Sequence, residues 1–136
     1  MRAGSVVRME PGASVTLALP FADAVEATRS ALAAHGFGVI TEIDMQATMK
    51  NKLDQDYPPF LILGACNPGF AHKAMGIDPT VATLLPCNVV VRGPDGAVEV
   101  STLNPQVLVA ATGSSELEPL AEQLAAMLSE AFAELH

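Results

Sequence analysis

Cys66 and Cys87 are the residues of this chain best suited to chemistry. Cys66 closes the apolar run from Phe60 to Ala65 and is followed by Asn67 and Pro68; Cys87 follows Pro86 and opens the run Asn88, Val89, Val90, Val91. If both runs are strands and the chain reverses between them, the two thiols lie at the same end of a sheet. A dithiol that relays persulfide sulfur or cycles to a disulfide needs only proximity and one thiol of low pKa. Cys66 is the candidate nucleophile, because Asn67 suits a helix cap and Pro68 a first helical turn, and the free N–H groups there favour a thiolate. Cys87 is in phase with Val89 and Val91, so burial should disfavour its thiolate.

Asn67, Pro86, Asn88 and His72 are the candidate supporting residues, His72 as a base one and a half turns into the helix after Pro68. The bland alternatives are a pair of cysteines that pack as small apolar groups and a His72 that is a solvated surface residue. No His/Cys cluster has zinc spacing, so no metal site is assigned; a soft metal or haem held by cysteine with His72 or methionine is a further alternative, and no cofactor is named by the sequence. Asp44 and Asp78 read as helix caps and the other carboxylates as solvated loop or helix faces. There is no phosphate-binding glycine loop, nucleophile elbow or Ser/His/Asp arrangement, which leaves phosphoryl transfer and hydrolysis without support.

The elements that must position these residues follow from composition and periodicity. A chain of 136 residues, half of them hydrophobic and 16% charged, is long enough for one aliphatic core. Its formal charge of −8, with seven scattered basic residues, argues against nucleic acid. No run suits a signal peptide or a bilayer span, so the expectation is a cytoplasmic protein with reduced thiols and no membrane partner.

Residues 1–12 read as a loose lead-in and 13–136 as a single domain. Ser14 to Leu19 suggests a strand. From Pro20 the apolar spacing becomes helical through Phe21, Val25, Thr28 and Leu32, ending at Gly36. Gly38 to Ile43 reads as a strand with Val39, Thr41 and Ile43 on one face, followed by a helix from Met45 to about Leu53 capped by Asp44, with Met45 and Met49 as core filler. A strand from Phe60 to Cys66 leads to a short helix from Pro68 to about Met75, stopped by Gly76, and to another turn at Asp78 and Pro79. Cys87 to Arg92 and Ala97 to Leu103 form a hairpin about Gly93 to Gly96, with Arg92, Glu99 and Ser101 pointing outward. Ser115 and Glu118 suggest a capping box before a long helix that buries Leu117, Leu120, Leu124, Leu128 and Phe132.

The succession Gly36, Phe37, Gly38, Val39, then Glu42, Ile43, Asp44, then Cys66, Asn67, Pro68, then Asp78, Pro79, then Leu85, Pro86, Cys87, Asn88, Val89 resembles the family called domain of unknown function 302, over roughly residues 14 to 130. That resemblance implies an α+β fold of β-α-β4-α order, a single antiparallel sheet with helices on one face, similar to the TATA-binding-protein type. It implies no activity.

Function therefore rests on the residues. The first reading is thiol-based sulfur transfer or redox work through the Cys66/Cys87 pair, with a sulfur-relay or small-molecule partner. The alternative is a non-enzymatic module that binds a small apolar ligand between sheet and helix, or an interaction module. Helices on one face leave the other bare along the run where Leu61, Leu63 and Ala65 alternate with Phe60 and Ile62, so a homodimer is expected to cover it.

Overall fold

The computed structural model describes residues 11–136. Strands β1 (Pro11–Leu17), β2 (Gly38–Asp44), β3 (Phe60–Cys66), β4 (Cys87–Arg92) and β5 (Val98–Leu103) form one antiparallel sheet in the order β1-β5-β4-β3-β2. Helices α1 (Phe21–Ala34), α2 (Met45–Leu53), α3 (Pro68–Ile77), α4 (Val107–Thr112) and α5 (Glu118–Ala133) are joined by 3-10 turns over Pro79–Leu84 and Ser115–Leu117. The architecture is the α+β arrangement expected from the sequence.

Alternation decides what each strand buries. Leu17, Leu63, Ala65, Cys87, Val89, Val91, Val98 and Val100 form a buried inner face. Against it pack Ala24 and Leu32 of α1, Phe70 and Ala74 of α3, Leu108 of α4, and Leu124, Leu128 and Phe132 of α5. These side chains pack together between the sheet and the long helix, the place that the alternative reading gave to a small apolar ligand. The local signals that start the helices also hold: Asp44 accepts from the Ala47 N–H at 2.9 Å, and Asn67 from the Phe70 N–H at 2.9 Å with Pro68 in the first turn.

Several expectations need correction. Val39, Thr41 and Ile43 do not share a face, because a bulge between Val39 and Thr41 shifts the register: Val39 stays opposite Ala65, whereas Thr41 lies opposite Gly64 and Ile43 opposite Ile62. Met45 and Met49 are only half-buried, and α2 buries no side chain fully. Gly76 does not stop α3, which runs to Ile77 and ends at Asp78, where the following Pro79 disfavours helical backbone. Ser115 and Glu118 form no capping box, since Ser115 belongs to a 3-10 turn and α5 starts at Glu118 with Pro119 in its first turn. The short helix α4, between the hairpin and the long helix, is not among the elements expected from periodicity. β1 begins at Pro11, so the last two lead-in positions lie in the sheet; residues 1–10 of the lead-in lie outside the described residues.

Candidate functional site

The cysteine pair does not form. β3 and β4 do place Cys66 and Cys87 at the same end of the sheet, but Ala65, not Cys66, lies opposite Cys87. A step of one residue along a strand turns the side chain to the other face. Cys87 is therefore buried in the core, while Cys66 is half-buried on the outer face, opposite Gly38. Both thiols are free, and they are not near each other. Burial, and secondarily the charge of Cys66, pushes the Cys87 thiol up to about 11. A sulfur relay or disulfide cycle between them has no geometric basis.

The supporting candidates separate as well. Asn67 is structural: besides capping α3 it donates from Nδ2 to the Gly36 carbonyl at 3.0 Å, tying the α1–β2 turn to the start of α3. His72 is exposed on α3. Pro86, after a cis Leu85–Pro86 peptide, lies over the outer face of β3, where a side chain at Gly64 would meet its Cγ at 2.8 Å and the Thr41 hydroxyl closer still. Glycine is required there because two neighbours already occupy the space. Asn88 is exposed on the outer face opposite Gly64, its carbonyl accepting from the Thr102 hydroxyl at 2.8 Å. Among the described residues no group of three or more His, Cys, Asp or Glu side chains is placed to hold a metal ion.

Iodoacetamide at neutral pH should accordingly label Cys66 and spare Cys87. A thiol titrating near 11 is about one part in ten thousand thiolate at pH 7, and Cys87 is sealed by the core as well. Peptide mapping should show Cys66 modified at least about tenfold faster, with Cys87 reacting only after urea is added. Equal rates in the native protein would contradict the burial of Cys87.

The outer face offers a better-formed feature at its opposite end. Strand register lines up two rows of outward residues. One runs Ile43, Ile62, Val90, Ser101, Ser14, and the other Phe60, Arg92, Glu99, Thr16. Phe60, Arg92 and Glu99 of the second row form the floor of a cleft of about 450 Å³ lined also by Tyr57, Pro58, Gly93, Pro94 and Ala97. That volume is in the range of about 300–1,000 Å³ usual for small-molecule sites.

The cleft is held from several sides. Gln46 of α2 donates to the Tyr57 carbonyl at 2.9 Å, and Lys50 pairs with Asp54 and Asp56 at 2.8 and 3.2 Å, fixing the loop that carries Tyr57. The carboxylates, Asp54 first, raise the Lys50 pKa. The Gly93 N–H donates to the Pro59 carbonyl at 2.9 Å, joining that loop to the β4–β5 hairpin. The hairpin is tied in turn to the start of α1, through Gly96 N–H to Leu19 carbonyl at 2.8 Å and Phe21 N–H to an Asp95 carboxylate oxygen at 2.7 Å. Walls fixed in this way need little ordering when a ligand enters. Tyr57 and Phe60 tilt at 46° with ring centroids 6.4 Å apart, and Arg92 Nη2 donates to Glu99 Oε1 at 2.8 Å. Strand alternation predicts Arg92 and Glu99 to point outward but gives them no role. Tyr57, the one tyrosine in a chain without tryptophan, set just before two prolines, was the available signal.

Comparison with known proteins agrees with the fold. A family model described as "Domain of unknown function DUF302" matches residues 13–135. A crystal structure of an uncharacterized conserved DUF302 protein from Bacillus stearothermophilus superposes with a TM-score of 0.83 at 23% identity, over 91% of this chain and 97% of that one. No curated protein matches the chain. No helix among the described residues is long and apolar enough to cross a membrane.

Proposed function

The chain belongs to the DUF302 family, a domain without an assigned function, and from that premise we propose that it is a non-catalytic binding module that takes a small molecule in the Tyr57–Arg92 cleft. The observation that carries this reading is the cleft itself: aromatic walls, one cation and one carboxylate on a sheet floor, braced by hydrogen bonds from three separate segments. Such convergence of a few polar groups on an apolar hollow is the common form of a ligand site. The test uses the protein's own chromophore, since Tyr57 is the only tyrosine and there is no tryptophan. Ring-bearing fragments screened by Tyr57 fluorescence and by amide chemical shifts should perturb residues 57–60 and 92–99. A screen with no such fragment, or shifts mapped elsewhere, would sink this reading.

A second element of the proposal is a homodimer in the cytoplasm, where free thiols persist. It rests on the other outward row, in which Ile43 is 48% exposed and Ile62 and Val90 are half-buried. The row Ile43, Ile62, Val90, Ser101, Ser14 carries no charged residue in a chain of net charge −8, so two copies can meet along it with little repulsion while the Arg92–Glu99 row stays outside the contact. Both edge strands carry bulges, between Pro11 and Ser14 and between Val39 and Thr41, which discourage pairing edge to edge and favour contact through the face. Light scattering should give twice the 14.1 kDa chain mass, and Ile62→Asp should return it to the monomer with its circular dichroism unchanged. A wild-type monomer at high concentration would exclude the dimer.

A further inference from the structure

We infer that the cleft selects a planar ring bearing a neutral carboxamide or lactam, a group that presents an N–H donor beside a C=O acceptor; this rests on the cleft being the binding site. The floor of the cleft determines the choice. Arg92 and Glu99 are cross-strand partners on the outer face, joined by a single hydrogen bond from Nη2 to Oε1. A carboxylate accepts at two oxygens and a guanidinium donates through five N–H groups. Among the described residues, the second oxygen of Glu99 and the remaining N–H groups of Arg92 have no protein partner, and both side chains line the cleft.

The pair is electrically neutral, which sets its preference. A free carboxylate gains Arg92 but meets the charge of Glu99, and an ammonium gains Glu99 but meets Arg92. A neutral amide offends neither and can satisfy both at once, its C=O accepting from Arg92 and its N–H donating to Glu99. Phe60 lies opposite Arg92 in the strand register and Tyr57 is tilted against Phe60, so a ring attached to that amide meets aromatic surface on leaving the polar floor. Pro58 and Pro94 complete the apolar lining.

Three probes of one size separate these chemistries: benzamide, benzoate and benzylamine. Titrated into the full-length protein and followed by Tyr57 fluorescence and the Gly93 and Ala97 amide shifts, benzamide should bind at least about tenfold more tightly than the other two, a ratio that two added hydrogen bonds can supply. Arg92→Met should abolish that preference. Glu99→Gln, which removes the negative charge but keeps an acceptor, should let benzoate gain on benzamide. Both positions are exposed enough to be changed without unfolding the chain, and an unchanged thermal melt checks this.

Benzoate or benzylamine binding in the cleft as tightly as benzamide would overturn the carboxamide inference and leave the cleft reading intact. The inference also fails alone if none of the three binds while other ring-bearing fragments shift Gly93 and Ala97. If no fragment of any kind perturbs these residues, the cleft reading fails together with it.

Discussion

Leu63→Ala should lower the free energy of unfolding by about 2–5 kcal/mol, the range for truncating a leucine in a packed core. Leu63 is fully buried on β3, a strand paired on both sides, opposite Val89 on β4. The cavity left there is bounded by strands that cannot close in without breaking their ladders, which places the cost toward the upper part of that range. Ile62→Ala, one residue away, removes more carbon than a single methyl group but from the half-buried outer face, and should cost clearly less. Urea midpoints at constant slope measure both. The comparison also bears on assembly, because an Ile62 in a dimer interface makes its loss depend on protein concentration, whereas the loss at Leu63 does not. Equal costs for the two positions in a monomer would mean that the inner and outer faces have been assigned wrongly.

Alkaline pH should weaken the fold through Cys87, and a Cys87→Ala protein should be spared most of that loss. The folded thiol is raised from an ordinary value of 9.0 to about 11 by burial. As pH rises past 9 the unfolded chain gives up this proton first, so the unfolded state holds fewer protons and stability falls with pH. The fall ends once the folded thiol also titrates near 11, and below the unfolded value the group contributes no pH dependence. Over that window the effect is roughly 2 kcal/mol. Unfolding curves at pH 8, 9, 10 and 11 should show the wild type losing about that much relative to Cys87→Ala. Parallel curves would mean that the thiol is hydrated in the folded protein.

Both predictions depend on which way a strand residue faces, and the strands differ in how plainly their sequences show it. In β4 and β5 the alternation is legible, because the inward Val89, Val91, Val98 and Val100 alternate with Asn88, Arg92, Glu99 and Ser101, and with Val90 as the one apolar outward position these polar residues leave one choice. β3 is different. Phe60 and Ile62 are as apolar as Leu61 and Leu63, so its sequence is compatible with either face inward, and Cys66 follows whichever face is chosen. Pairing with β4 settles the matter by setting Ala65 against Cys87. That one-residue step separates two cysteines that proximity along the sheet end had suggested as partners.

What the sequence determines by itself is therefore the part governed by neighbours along the chain. Asp44, Asn67 and Pro68 start their helices, Gly36 adopts a φ of 86° after α1, and valine alternation defines one sheet face, because each of these depends on contacts within about four residues. The α+β class follows from that succession of elements. The bulge in β2, the inward face of β3 and the cleft were decided only by tertiary structure. The cleft draws Tyr57 from a loop braced by α2, Phe60 from β3, and Arg92 and Glu99 from the two arms of a hairpin, and no local pattern ties these residues together. Their meeting is set by strand register and by hydrogen bonds between segments more than thirty residues apart, such as Gly93 to Pro59, and energies of that kind exist only once the chain has folded.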